Sequence, residues 1–167
     1  MMKTVRFMTS VAAVAVATAA IPFSAEASSN FEMRKKVVTL SGIVTSKDTN
    51  QYITRGEFAR MLVNASSYKE SASATTSMAV FNDVPASNEY ASYIRIATEN
   101  GWMKAYLGGL FKPDQQITMQ EAARGVLALL GYTNDDFAGD QNGGRWNKYI
   151  SLDLGNEISK ESTEVLT

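Results

Sequence analysis

The sequence predicts an all-α protein assembled from repeated helix–loop–helix units. Three observations lead there. Sliding the chain along itself by 64 positions lays Ile53-Thr54-x-x-Glu57-x-Ala59-Arg60 over Ile117-Thr118-x-x-Glu121-x-Ala123-Arg124, and self-similarity of this kind marks stacked structural units. The stretches beside these motifs carry apolar residues at helical spacing. They also run into glycines, Gly101 and Gly131, which readily take the left-handed conformation that ends a helix.

In chain order, residues 1–27 read as a secretory leader. Lys3 and Arg6 make a positive start, residues 7–21 are apolar, and Ala25-Glu26-Ala27 supplies a small-x-small cleavage pattern before Ser28. Thr9, Ser10, Thr18 and Pro22 interrupt the apolar part, which falls short of the ~20 residues a membrane span needs. Export with cleavage is therefore expected over a retained anchor, and no other segment is apolar enough to span.

Residues 28–68 form a partial first unit. Its "VVTLSGIV" at 37–44 matches "IATENGWM" at 96–103, with Gly42 on Gly101, and its second helix opens with "YITRGEFARM". Residues 69–80, rich in Ser, Thr and Ala, read as a connector. Residues 81–132 are the complete unit. Ser87 or Asn88 can cap a first helix whose apolar face is Tyr90, Tyr93, Ile94 and Ala97, and Asn100-Gly101 ends it. A turn-rich loop follows at 104–116, with paired glycines and a proline. The second helix starts at Thr118, turns Ala123, Val126, Leu127 and Leu130 inward, and stops at Gly131. Residues 133–167 begin a third unit, with Tyr149-Ile150 set against Tyr93-Ile94, and Thr167 is expected to fall inside its second helix. One such hairpin leaves an apolar face uncovered, so neighbouring units must pack together.

Composition bounds the chemistry. Without the leader the chain carries 14 Lys+Arg against 16 Asp+Glu, after Lys3, Arg6 and Glu26 are removed from 16 and 17. That near-neutral balance argues against a nucleic-acid partner, which requires a basic stripe, and against electrostatic adhesion to a membrane. There is no Cys and no His. An exported chain of this kind has no disulfide. It also lacks the commonest general base and zinc ligand, so thiol, zinc and serine-triad enzymes are excluded in their usual forms. No metal and no cofactor is implied. An EF-hand reading of residues 46–57 fails, because Ser46 and Gln51 stand where the loop requires Asp and Gly.

Most of "ITRGE" is architecture. Thr54 at N-cap and Glu57 at N3 make a capping box, and Ile53 and Phe58 make the matching hydrophobic staple. Thr118, Glu121, Ile117 and Ala122 repeat the arrangement. Arg55 is not needed for capping. A cation in the first helical turn opposes the helix dipole by about 0.3–1 kcal/mol. Beside free helix N–H groups, a guanidinium instead makes a site for a carboxylate or phosphate. On this reading Arg55→Ala spares stability and weakens ligand binding. Met119 replaces the arginine in the second copy, so the two positions are unequal.

The stretch "FNDVPASNEYASYIRIATENGWMKAYLGGLFKPDQQITMQEAARGVLALLGY" resembles the S-layer homology domain, the wall-anchoring repeat of exported bacterial proteins. Phe81, Asp83, Val84, Ala91, Ile94, Ala97, Gly101, Gly109, Phe111, Pro113, Ile117, Thr118 and Glu121 carry that resemblance in order. Residues 131–155 look like the passage into a further copy. The departures are Met119-Gln120 in place of Arg-Ala, Tyr90 where the family usually has Trp, and a first unit without the F-x-D-V opening.

The resemblance implies helical units around a pseudo-threefold axis, with grooves between units. The grooves of this family take a secondary cell-wall polysaccharide attached to peptidoglycan, often with pyruvylated sugars. Carried over by position, the ligand-binding residues are Arg55, with Asp83, Tyr90, Gly108 and Gly109 beside it. The function expected is non-catalytic wall anchoring at the cell surface. A structural surface-layer or adhesion protein without sugar specificity is the alternative. An enzyme using Asp135 and Asp136, or Asp153 and Glu157, is a weaker one, since adjacent acids in turns are usually solvated caps. A shortened third unit would leave part of one face open and invite self-association.

Overall fold

A computed structural model describes residues 23–44, 52–73, 78–137, 141–154 and 163–165. Most of the leader (1–22), the stretch 45–51, the middle of the connector (74–77), and residues 138–140, 155–162 and 166–167 lie outside the described residues. Among the described residues the chain is helical: α1 (Phe23–Leu40), α2 (Arg55–Asn64), α3 (Ala91–Glu99), α4 (Met119–Leu129) and α5 (Gln141–Ser151). Short 3-10 turns lie at Glu70–Ser73 and Asn134–Asp136. Isolated bridges replace strands among these residues. No helix among them is long and apolar enough to cross a membrane.

The chain divides into two compact units, residues 1–35 and 36–167. The first contains the opening of α1, exposed at 30–35. That helix runs through the predicted cleavage point between Ala27 and Ser28. The second unit contains everything described below.

Backbone hydrogen bonds display the repeat. At the end of α1, Gly42 N–H donates to the Thr39 carbonyl and Ile43 N–H to that of Val38. At the end of α3, Gly101 donates to Thr98 and Trp102 to Ala97, and at the end of α5, Asp153 donates to Ile150 and Leu154 to Tyr149. The three turning residues share positive φ, at 72°, 73° and 56°. This register makes Tyr149 equivalent to Ala97, one helical turn beyond the Tyr93 chosen by sequence comparison. The reason is physical: a helix face repeats every turn, so apolar matches slide by about four residues, whereas the left-handed cap occurs once.

A second correction concerns the end of the third unit. Thr54 bridges Gln116 and Thr118 bridges Val165 in the same antiparallel sense. Arg55 N–H donates to the Gln115 carbonyl at 2.9 Å, and Met119 N–H to that of Glu164 at 2.8 Å. Glu164 and Val165 are thus the counterparts of Gln115 and Gln116, in a bridging stretch rather than within a helix.

Both capping boxes form. Glu57 N–H donates to Thr54 Oγ1 at 3.2 Å while Thr54 N–H donates to Glu57 Oε2 at 3.0 Å, and Thr118 with Glu121 does the same. Gly131, at φ 93°, ends α4 as expected. α3 begins three residues later than Asn88, whose Oδ1 accepts the Tyr90 N–H in the preceding turn.

Packing runs between units, as the uncovered hairpin faces require. α2 packs on α3, and α4 on α5. The main core joins Phe58, Leu62 and Val63 of α2 to Ile94 and Ala97 of α3, with Val84, Phe111 and Ile117. α4 also approaches α2 closely, because Gly125 presents no side chain: a Cβ there would lie 2.8 Å from Phe58 Cε1. Its other face supplies Met119, Ala123 and Leu127 to a second cluster with Phe137 and Tyr149. Leu130, expected inward, is 57% exposed because it is the C-cap, where the chain already turns away.

Candidate functional site

An antiparallel bridge between Thr54 and Gln116 ties "ITRGE" to the end of the 104–116 loop. Ile117 N–H donates to the Ile53 carbonyl, Arg55 N–H to that of Gln115, and Gly56 N–H to that of Pro113, all near 2.9–3.0 Å. The first N–H groups of α2 are therefore occupied, with Glu57 N–H taken by Thr54. This corrects the expectation of free helix N–H groups beside Arg55. The bridging loop of the next repeat fills them.

Arg55 itself is buried, at 2% exposure. Its Nε donates to the Phe111 carbonyl at 2.9 Å, Nη2 to that of Lys104 at 2.7 Å, and Nη1 to Glu121 Oε1 at 2.7 Å. The guanidinium lies 4.5 Å from the Tyr106 ring centroid and 4.7 Å from that of Phe111. Phe111 stacks in turn on Phe81. Three N–H bonds, one of them to a carboxylate, and two aromatic rings thus meet this cation from within, which is what burial of a charge demands. The dipole argument against a cation at this position loses its force, because the partners lie across the seam.

Glu121 does two jobs. One oxygen completes the capping box of α4, and the other accepts from Arg55 and from the Tyr106 hydroxyl at 2.9 Å. Tyr106 also accepts from Gln115 Nε2. Burial and the bond to Glu121 raise the Tyr106 pKa above its ordinary value, with Arg55 opposing. A small cavity of about 30 Å³ lies beside the pair, lined by Arg55, Trp102, Met103, Lys104, Glu121 and Arg124.

Asp83 grips the same loop from the other side. Its two oxygens accept the Phe111 N–H at 2.9 Å and the Lys112 N–H at 2.6 Å. Burial pushes this carboxyl up. The backbone bonds from Phe111, Lys112 and its own N–H, with the field of Arg55, outweigh it and hold the pKa below 3.8. Gly108 and Gly109, with φ of 91° and 73°, form the tip, closed by Tyr106 N–H donating to the Leu110 carbonyl. Tyr90 stands apart from this loop tip. Its buried ring packs on Gly56, where a Cβ would come within 2.6 Å of Cδ2, and Arg60 lies over it.

Four of the five residues singled out by resemblance thus converge on residues 104–112. Arg55 and Asp83 hold that loop, Gly108 and Gly109 shape its tip, and Tyr90 braces α2 against α3. Sequence reasoning missed Tyr106 and the second role of Glu121. The only trace of either was the Arg55/Met119 inequality: Met119 is buried in an apolar cluster with Ala123, Leu127, Phe137 and Tyr149. Of the paired acids, Asp136 and Asp153 sit in local turns. Asp136 accepts from the Thr133 N–H and hydroxyl, which lower its pKa, and Asp153 occupies the positive-φ end of α5, while Glu157 lies outside the described residues.

Residues 80–123 match the family model described as the S-layer homology domain. Over 134 residues the chain is 28% identical to the "Middle cell wall protein" of Brevibacillus brevis (strain 47 / JCM 6285 / NBRC 100599), covering 72% of this chain and 13% of that protein. Over 132 residues it is 27% identical to the "Surface layer protein" of Brevibacillus choshinensis, covering 72% and 12%. The chain spans about an eighth of the length of these relatives. The match to the S-layer homology domain thus falls on residues 80–123, which contain the clamped loop and most of the groups that clamp it, in a chain similar to Brevibacillus cell-wall and surface-layer proteins.

Proposed function

We propose that this chain is an exported, non-catalytic segment that anchors its protein at the cell surface by binding an acid-bearing secondary polysaccharide attached to peptidoglycan. The observation that carries the reading is the S-layer homology domain at 80–123, with its 104–112 loop clamped onto the preceding repeat by Arg55 and onto its own repeat by Asp83. A loop fixed from two sides is pre-organised, so binding loses little conformational entropy. In this reading Arg55, Asp83 and Tyr90 position the groove, and Gly108 and Gly109 let a sugar approach backbone at the tip. The packing of each second helix on the next unit's first helix supports a pseudo-threefold arrangement.

The test is sedimentation with purified cell walls, before and after extraction of the secondary polysaccharide. Retention by intact walls and its loss after extraction is the expected result. Equal retention on extracted walls would favour a surface-layer or adhesion role without sugar specificity.

A further inference from the structure

Lys112 holds a backbone conformation that its residue type disfavours. Its φ is 57°, and Asp153 is the other non-glycine residue with positive φ among the described residues. In this left-handed region a Cβ crowds the neighbouring carbonyl, so glycine is the usual occupant. Gly108 and Gly109 meet the same demand in the same loop with glycine. The conformation at 112 is imposed by its surroundings: Asp83 takes the N–H groups of Phe111 and Lys112, and Arg55 takes the Phe111 carbonyl. The lysine side chain, however, is exposed, with its Nζ 4.8 Å from the Tyr106 ring centroid. Unlike Arg55, whose charge Glu121 answers, it has no acidic partner among the described residues. Strain retained beneath an exposed, charged side chain points to function rather than packing.

We propose that Lys112 is the cation that meets an anionic group of the wall polysaccharide, presented on Tyr106, and that Arg55 and Asp83 act through the loop as positioning residues. The proposal rests on the anchoring reading and names the charged contact within it. The group recognised is an anionic oxygen pair or cluster, whether a sugar-borne carboxylate or a phosphate of the polymer.

Binding of the full chain to purified walls, measured as half-saturation in sedimentation at low and high salt, tests this with three variants. Lys112→Gly and Lys112→Gln should each weaken binding about tenfold and flatten its salt dependence, as expected for one charge-assisted contact, while Lys112→Arg keeps most of it. The melting temperature of Lys112→Gly should not fall, because glycine relieves the backbone. If mild acid removal of ketal-linked acids from the walls abolishes the difference between wild type and Lys112→Gly, the group is a carboxylate. If cleavage of phosphodiesters alone does so, it is a phosphate. Equal binding of wild type and Lys112→Gly overturns the assignment and leaves the anchoring reading standing, as does a Lys112→Gly variant that melts early. Failure of the wild type to bind any wall removes both.

Discussion

Replacing Arg55 with alanine is expected to destabilise the protein by about 3 kcal/mol, since it strands Glu121 and two carbonyls at a buried seam. The low end of the usual range applies because the Glu121 side chain is 24% exposed and can recruit water. Urea denaturation measures it; a loss under about 1 kcal/mol, the typical value for a capping threonine such as Thr54→Ala, would show that the clamp does not hold. This reverses the order expected from sequence, where Thr54 was structural and Arg55 dispensable. Asp83 gives a second residue-scale expectation. Its folded pKa lies below the ordinary 3.8, so the unfolded chain binds more protons in that range. Its contribution is complete above the unfolded value and disappears as pH falls through the folded one. Melting temperatures of wild type and Asp83→Asn should therefore differ at pH 7 and converge below about pH 4; a gap that persists at pH 2 would remove the carboxylate from the account.

Close approach of helices to their neighbours depends on missing side chains. In α2, a Cβ at Gly56 would stand 2.6 Å from Tyr90 Cδ2 and 3.3 Å from the Pro113 carbonyl. Gly56→Ala should lower stability by about 1–3 kcal/mol, the usual range for overpacking, despite alanine's better helix propensity. Combining it with Tyr90→Leu should recover part of that loss relative to the two single changes, a coupling that a double-mutant cycle reads directly. Strict additivity would mean that the ring is not what limits the approach. At this scale the sequence located the elements well. Caps at Thr54 and Thr118 and stops at Gly101 and Gly131 were legible because each follows from bonds within one turn of the chain. The start of α3 and the direction of Leu130 were not, since neighbouring turns and the end of a helix decide them.

Among the described residues two apolar clusters each carry a tryptophan reporter. Trp102 belongs to the main core and Trp146 packs against the cluster of Met119, Leu127, Phe137 and Tyr149. Placing an arginine at 119 would bury a charge among the apolar groups of that cluster. Met119→Arg should therefore raise hydrogen exchange in α5 and shift Trp146 emission to the red, while Trp102 and the α2–α3 amides keep their protection. Uniform loosening throughout would instead make the repeats one cooperative block.

The sequence by itself determined the repeat, its helix caps, the all-α class and the resemblance of residues 81–132 to a wall-anchoring family, because local bonding and periodicity are written over a few residues. Only the tertiary structure decided which groups Arg55 meets. Its partners are 49 to 66 positions away, two of them backbone carbonyls that carry no sequence signature. The same distance hid the α5 register and the strained lysine at 112, since a helix face looks alike at every turn and the left-handed conformation is imposed from across the seam.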